Sequence, residues 1–187
     1  MTAVSEGARE RILRAADELF YSRGIRNVGI DEVIARADVA KATLYKHFES
    51  KDALVLEFLR RRHDEGRERF LASIEARATT PRERILAIFD DLEENCSKSG
   101  FRGCPFLNAM VELADPNHPA QRAVLEHKQA VREYMRGQAE EAGLKDPDEL
   151  AAHLSMLYDG AAVSVQGNCS SDAARRARIA AEKLLQD

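Results

Sequence analysis

Two lysines, two hydroxyl groups and one imidazole lie close together in residues 41–47, KATLYKH. If this segment is helical, Leu44 and Phe48 stand four residues apart and face inward. The polar side chains then point outward together, and they are Lys41, Thr43, Tyr45, Lys46 and His47. Lysine binds phosphate, while hydroxyl and imidazole groups form hydrogen bonds with phosphate or base edges. The segment therefore indicates contact with nucleic acid.

These residues belong to a pair of short predicted helices. Apolar spacing places the first helix at about residues 30–37 and the second at about 41–48, with three residues between them. A connection this short prevents antiparallel packing along the full helix length, so the two helices must cross steeply. That arrangement is a helix-turn-helix, in which the second helix enters the major groove of DNA.

Helical periodicity continues along the chain and predicts an all-α protein of about nine helices. No segment alternates with a period of two, so we expect no sheet. A first helix over 8–23 completes a three-helix head, and a long helix over 51–77, roughly 40 Å, joins it to the rest. Further helices are expected over 81–97, 105–114, 120–142 and 147–166, with a last one capped by Ser171 or Asp172. We predict a DNA-binding domain at 1–50 and a ligand-binding and dimerisation domain at 51–187.

The overall charge does not suggest a nucleic-acid partner, because the formal net charge is −4. Residues 1–62 contain 12 Lys+Arg and 10 Asp+Glu, whereas residues 63–187 contain 16 and 22. Any electrostatic attraction to DNA must therefore be local to the head. The three cysteines, Cys96, Cys104 and Cys169, have no close-spaced pair, and no apolar run approaches 18 residues. We expect a cytoplasmic protein with free thiols, no membrane partner, no metal and no cofactor.

The first 60 residues contain a run that is typical of one family of regulators. The first helix ends in a Phe and then a Gly, and DEVIARADVAKATLYKHFESKDALVLEFL follows. This stretch, above all Thr43 to Phe48 and then Ser50, Lys51 and Leu54, resembles the TetR/AcrR (tetracycline-repressor-like) family of transcriptional regulators. One departure is Gly29, at a position where the family often has a Thr or Ser cap, since glycine supplies no side-chain oxygen.

The resemblance implies a role for each polar residue of the second helix. Thr43 and Tyr45 would donate hydroxyl hydrogen bonds to phosphate or base, and His47 would bind a phosphate. Lys41 and Lys46 would be cationic contacts, and Lys51, in the first turn of the long helix, would face the DNA backbone. The resemblance also implies a regulator rather than an enzyme.

The helices after residue 80 carry aromatic, methionine and amide side chains that we expect to point inward. They are Phe89, Phe101, Phe106, Asn108, Met110, Tyr134, Met156 and Tyr158. Such a wall suits a small apolar or aromatic ligand. Each residue taken alone is equally consistent with an ordinary core, and the resemblance favours a pocket. A DNA-binding regulator with a closed core remains an alternative.

A single short recognition helix reads only a few base pairs, so a specific operator requires a dimer that places two such helices. We expect the eighth and ninth helices to form the contact between subunits. The predicted face contains Leu150, Leu154, Leu157, Ala161 and Val165, together with Ala174, Ile179, Leu184 and Leu185. The open alternative is that these stripes are buried within one subunit.

Cys104 supports a different hypothesis. It lies between Gly103 and Pro105 at a predicted helix start, where a helix dipole lowers a thiol pKa. A thiol sensor or thiol enzyme would use such a residue, although a small buried residue at a helix start is the more common explanation of such a position. The favoured hypothesis is a homodimeric, ligand-responsive transcriptional repressor that is not an enzyme.

Overall fold

A computed structural model describes residues 6–167 and 172–186 of the chain. Within this part the chain forms nine helices and no strand, which confirms the predicted all-α fold. The helices are α1 (Ala8–Arg23), α2 (Ile30–Ala37), α3 (Lys41–His47), α4 (Lys51–Arg77), α5 (Pro81–Ser97), α6 (Pro105–Leu113), α7 (Pro119–Glu141), α8 (Pro147–Gln166) and α9 (Ala173–Leu184). Ser171, one of the two predicted caps of α9, and Cys169 lie outside the described residues.

Local chemistry explains where the helices start. Four helices, α5 to α8, have proline at their first position, where the missing N–H would have had no partner in any case. Before α5, the Thr80 hydroxyl accepts a hydrogen bond from the Glu83 N–H at 3.3 Å. The Glu83 carboxylate in turn accepts from the Thr80 N–H at 2.9 Å, and the pKa of Glu83 falls to about 2 because backbone N–H groups bind its charged form.

The first of two hydrophobic clusters lies under the head and extends beyond it. It joins α1, α2, α3 and the first turns of α4 through side chains such as Phe20, Leu44 and Leu54. The same cluster contains Phe106 of α6 and Val124 of α7. Residues far apart in sequence therefore share the core of the head. The boundary between residues 50 and 51 does not coincide with this packing and stays a prediction.

The second hydrophobic cluster joins the end of α4 to α5, α7, α8 and α9. α4 contributes Leu59 to the first cluster and Ile74 to the second, so it links the two. Gly66 lies between them, and a Cβ at this position would meet nothing within 4 Å. No close contact therefore requires a glycine here.

The predicted dimer face of α8 and α9 is largely buried within the subunit. Leu150, Leu154 and Ala161 are buried in the second cluster, as are Ala174 and Leu185, and Leu157, Val165 and Leu184 are half-buried against it. The prediction is wrong for the buried residues, because they pack into the second cluster within one subunit. The exposed large apolar side chains of the two helices are Ile179 of α9, which belongs to the predicted face, and Met156 and Val163 of α8, which do not.

Candidate DNA-binding surface and ligand cavity

The outer side of α3 is the first candidate site. Leu44 and Phe48 are buried, as predicted from their spacing. Lys41, Tyr45, Lys46 and His47 are exposed, and Thr43 is half-buried. Within residues 6–167 and 172–186, four side chains form no hydrogen bond or ion pair with another residue. They are Thr43, Tyr45, Lys46 and His47. These four side chains therefore remain available to a partner molecule.

The turn before α3 is fixed by α1. α2 ends at Asp38, which adopts the left-handed conformation with φ 51° and ψ 59°. The Arg11 guanidinium donates to the carbonyl oxygen of Ala37 at 3.2 Å and to that of Asp38 at 3.5 Å.

The start of α2 is held by Glu32, whose carboxylate accepts from the Gly29 N–H at 3.0 Å. Glu32 thus ties down the Gly29 backbone where the usual Thr or Ser cap is missing.

Two of the predicted DNA-contacting lysines already have partners. The Lys41 ammonium lies 3.2 Å from Asp31 in an ion pair that is largely exposed on both sides. Such a pair is weak and can yield to a phosphate. The Lys51 ammonium is turned inward instead, where it donates to the Ile25 carbonyl oxygen at 2.6 Å and lies 6.0 Å from the centre of the Phe20 ring. An ammonium has three donors and this bond uses one, so the bond does not prevent a second contact. The role of Lys51 at the DNA backbone stays a prediction.

The second candidate site is a cavity of about 740 Å³ between α4, α5, α6, α7 and α8. Four of the eight predicted ligand-binding residues line it, namely Phe101, Phe106, Tyr134 and Tyr158. The other four do not. Phe89 is fully buried behind the wall, with its ring 6.3 Å from that of Tyr158. Asn108 donates to the Arg102 carbonyl oxygen at 2.7 Å and accepts from Gln166 at 3.0 Å.

The predicted inward orientation of both methionines is wrong. Met110 is 41% exposed and Met156 is 62% exposed. α6 turns Phe106 and Ala109 toward the first cluster, which leaves Met110 and Val111 on the outside. α8 turns Leu150 and Leu154 inward, so Met156 lies on the opposite face. Apolar character alone did not distinguish the two faces of these helices.

A pair of histidines in the cavity wall was not predicted. His63 of α4 and His127 of α7 are 64 residues apart in sequence, yet their Nδ1 atoms lie 3.2 Å apart. The His127 ring stacks on Phe106 with centroids 3.6 Å apart and planes 7° apart. Burial is the main cause that lowers the pKa of His127 to about 3, and the neighbouring His63 adds to it. His127 is therefore uncharged at neutral pH.

Cys104 also lines the cavity, but its chemistry differs from the expectation. Burial raises the pKa of its thiol, and the nearby backbone N–H groups of Leu107 and Phe106, which lower that pKa, do not offset the effect. The predicted lowering by the helix start is therefore wrong. Among the described residues, no three His, Cys, Asp or Glu side chains are placed to hold a metal ion. None of the described helices is long and apolar enough to cross a membrane.

Direct contacts join the cavity wall to the head. The Tyr21 hydroxyl of α1 accepts from the Arg102 N–H at 2.9 Å and donates to the carbonyl oxygen of Gly103, a cavity-lining residue, at 3.1 Å. The guanidinium of Arg62, also in the wall, donates to both Asp17 oxygens at 2.5 and 2.8 Å. It also lies 4.2 Å from the centre of the Tyr21 ring. A displacement of this wall would therefore reach α1 directly.

Comparison with known proteins identifies relatives along nearly the whole chain. Residues 12–58 match the model for bacterial regulatory proteins of the tetR family, and residues 81–181 match the tetracyclin repressor-like C-terminal domain. The crystal structure of SCO4454, a TetR-family transcriptional regulator from Streptomyces coelicolor, is 34% identical and superposes with a TM-score of 0.89. That comparison covers 96% of this chain and 95% of the other.

Two more similar proteins are also named as transcriptional regulators. A putative tetr-transcriptional regulator from Streptomyces avermitilis is 32% identical with a TM-score of 0.82, over 95% of this chain and 99% of that one. The HTH-type transcriptional repressor NemR of Escherichia coli is 26% identical over 62% of this chain. The matched region spans 59% of the length of NemR.

Proposed function

Because the chain belongs to the TetR family of bacterial regulatory proteins, we propose that it is a homodimeric repressor which a small apolar or aromatic ligand releases from a pseudo-palindromic operator. Family membership makes it a helix-turn-helix transcriptional regulator and not an enzyme. The observation that supports DNA binding most strongly is the set of unpartnered polar side chains on the outer side of α3.

At the operator, α3 lies in the major groove with its exposed side toward the bases. Tyr45, which is 45% exposed, and Thr43 offer hydroxyl groups to a phosphate or a base edge. Lys46 supplies a cation that no acidic side chain of the described residues neutralises. His47 and Lys41 contact flanking phosphates. Leu44 and Phe48 anchor the helix from behind, so that these side chains keep a fixed direction.

Dimerisation uses the exposed faces of α8 and α9. Met156 and Val163 stand seven residues apart with Gly160 between them, so they lie on one side of α8. Val163 is 55% exposed and Ile179 of α9 is 44% exposed. Exposed apolar side chains on neighbouring helices are typical of an interface between subunits. The predicted pair of helices and Ile179 are retained, while Met156 and Val163 replace the buried residues of the predicted face of α8.

The ligand acts through the contacts between the cavity and α1. A ligand that contacts Arg62 and the segment 101–104 stabilises a second conformation. In that conformation α4 and this segment are displaced from their positions in the DNA-bound protein. Tyr21 and Asp17 transmit the change to α1, because they bind this wall directly. A coupling of about 1–3 kcal/mol weakens operator binding by roughly 5- to 150-fold. Glu112 provides a second link, since its carboxylate accepts from the Arg26 N–H at 3.0 Å.

The test of DNA binding substitutes side chains on α3. Tyr45→Ala and Lys46→Ala should each weaken binding about tenfold or more, because a dimer loses the contact twice and each contact contributes roughly 1 kcal/mol or more. The operator is first selected from random DNA with the purified protein, and binding is then measured by mobility shift. Lys145→Ala is the matched control, because this exposed lysine lies between α7 and α8. Unchanged binding by both α3 variants would refute the docking mode.

The two alternatives receive less support. A regulator with a closed core does not agree with a cavity of about 740 Å³ that is lined by aromatic rings. A thiol sensor or thiol enzyme needs a reactive thiolate, and burial raises the pKa of Cys104 instead. Ligand response therefore remains the better explanation of the cavity.

A further inference from the structure

The uncommitted polar groups of the cavity wall define the ligand more narrowly. We infer that the cavity binds a flat aromatic molecule that has no negative charge and carries a hydrogen-bond-accepting oxygen, and that the hydroxyl groups of Tyr134 and Tyr158 bind that oxygen. This inference rests on the proposed ligand response and names the chemical class of the effector.

The two tyrosines are donors without an acceptor. Both line the cavity, Tyr134 from α7 and Tyr158 from α8. Neither hydroxyl forms a hydrogen bond with any residue in 6–167 or 172–186. Burial raises the pKa of each tyrosine, so both keep their protons at neutral pH. A hydroxyl that lines a cavity and has no protein acceptor is free to donate to an oxygen on a ligand.

Aromatic rings form much of the rest of the wall. Phe106 and His127 present a stacked pair, and His63 lies perpendicular to both rings, with interplanar angles of 90° and 86°. On another side of the cavity, Phe70 meets Tyr134 edge to face, with centroids 5.6 Å apart. Rings arranged in this way favour a flat aromatic partner, since stacking and edge contacts both require one.

The enclosed part of the wall offers no free cation to an anionic ligand. The Asp91 carboxylate accepts from the Ser73 hydroxyl at 2.5 Å and from the Asn95 amide at 2.7 Å. The Arg62 guanidinium is bound by Asp17, and His127 is uncharged at neutral pH. The exposed charged residues of the lining are of both signs, namely Arg67, Arg69, Glu94, Lys98 and Glu133. An anionic ligand would be buried without a counter-charge and close to the Asp91 carboxylate, which is strongly unfavourable.

The histidine pair adds one donor and one acceptor to this wall. A hydrogen bond between the two Nδ1 atoms uses a proton on one ring only. In the neutral pair, the donor ring then has a bare Nε2 and the acceptor ring has an Nε2–H. The cavity volume, about 740 Å³, falls within the usual range for small-molecule pockets.

Calorimetric titration with four probes tests the inference. The probes are 2-acetylnaphthalene, 2-ethylnaphthalene, which lacks the oxygen, 2-naphthoate, which is an anion, and cyclohexyl methyl ketone, which lacks the aromatic rings. We expect 2-acetylnaphthalene to bind about tenfold more tightly than 2-ethylnaphthalene, because the hydroxyl groups of Tyr134 and Tyr158 gain an acceptor. The anion and the non-aromatic ketone should bind more weakly than 2-acetylnaphthalene.

Tyrosine variants locate the preference. The double variant Tyr134→Phe and Tyr158→Phe should bind both naphthalenes with nearly equal affinity, and circular dichroism shows whether it is folded. Tyr45→Phe is the control, because it removes a hydroxyl from α3, outside the cavity. A preference for the ketone that survives in the double variant would overturn the inference, as would tighter binding of 2-naphthoate or no binding of any probe to the parent protein.

The same samples separate this inference from the proposed function. If 2-acetylnaphthalene binds with the expected preference but leaves operator affinity unchanged, the ligand class is supported and the ligand response is refuted. If the protein binds its operator but none of the probes, DNA binding stands and the ligand class is refuted.

Discussion

The outer side of α3 and the wall of the cavity are assembled in opposite ways. The polar side chains of α3 lie within seven consecutive residues, and four of them have no partner among the described residues. The wall of the cavity combines residues from α4, α5, α6, α7 and α8, which span positions 62–162. One site follows from the helical repeat of a short segment, whereas the other exists only after distant helices have packed together.

Because of this difference, substitutions at the two sites should have different effects on binding and on stability. The α3 side chains contact little of their own protein, so their loss should weaken DNA binding and leave the fold intact. The cavity residues also belong to the hydrophobic clusters or pack against them, as Phe106 and Tyr158 do. Their loss should change ligand binding and stability together.

The largest expected effect comes from Phe106→Ala. Phe106 is buried in the cluster of the head, stacks on His127 and lines the cavity. Its truncation should lower the free energy of unfolding by about 3–5 kcal/mol, as measured by urea titration. Met110→Ala on the same helix is the control, and should cost less than about 1 kcal/mol because Met110 is exposed. Equal losses would show that α6 is not part of this core.

A pH dependence of stability should arise from the wall of the cavity. The pKa of His127 is about 3 in the folded chain and near 6.5 when exposed, so between these values the unfolded chain binds more protons. The free energy of unfolding should therefore fall as pH falls from about 6.5 toward 3, by up to about 1.4 kcal/mol per unit. Urea titrations at several pH values measure the slope. His127→Gln should flatten it within this window, and an unchanged slope would assign the effect to other groups.

The connection between the two sites is tested by Tyr21→Phe. This substitution removes the hydroxyl that donates to Gly103 and accepts from Arg102, and should cost about 1–2 kcal/mol of stability. Operator affinity without ligand should stay close to that of the parent, while the loss of affinity caused by 2-acetylnaphthalene should be reduced. Ser22→Ala is the neighbouring control, because its hydroxyl bonds only within α1. A full ligand response in Tyr21→Phe would exclude this contact from the coupling.

Sequence reasoning predicted the helices well because their limits are local. The apolar repeat gave bounds for α1, α2 and α4 that the structure reproduces. The exposure of α3 followed from the same repeat. The DNA contacts themselves remain predictions.

Packing was harder to predict than helix limits. α8 carries apolar residues on two faces, and sequence alone could not decide whether Leu154 or Met156 points inward. The contact between His63 and His127 depends on how α4 lies against α7, and no spacing rule connects residues 64 positions apart. The pKa of Cys104 was misjudged for a related reason, since the helix start is local but the burial that outweighs it is not.

The smallest effect, and the sharpest test of the contrast, is expected for Lys41→Ala. The ion pair between Lys41 and Asp31 is largely exposed, so its loss should change the free energy of unfolding by less than about 0.5 kcal/mol. We propose that Lys41 of each subunit neutralises one phosphate. Its loss should then make the slope of log K for operator binding against log salt concentration shallower by roughly one for each lost contact. Mobility shifts at several salt concentrations measure that slope. Asp31→Ala should leave the slope nearly unchanged, because it frees Lys41 without removing it. A variant that loses stability instead of salt dependence would mean that α3 is a structural helix like those around the cavity.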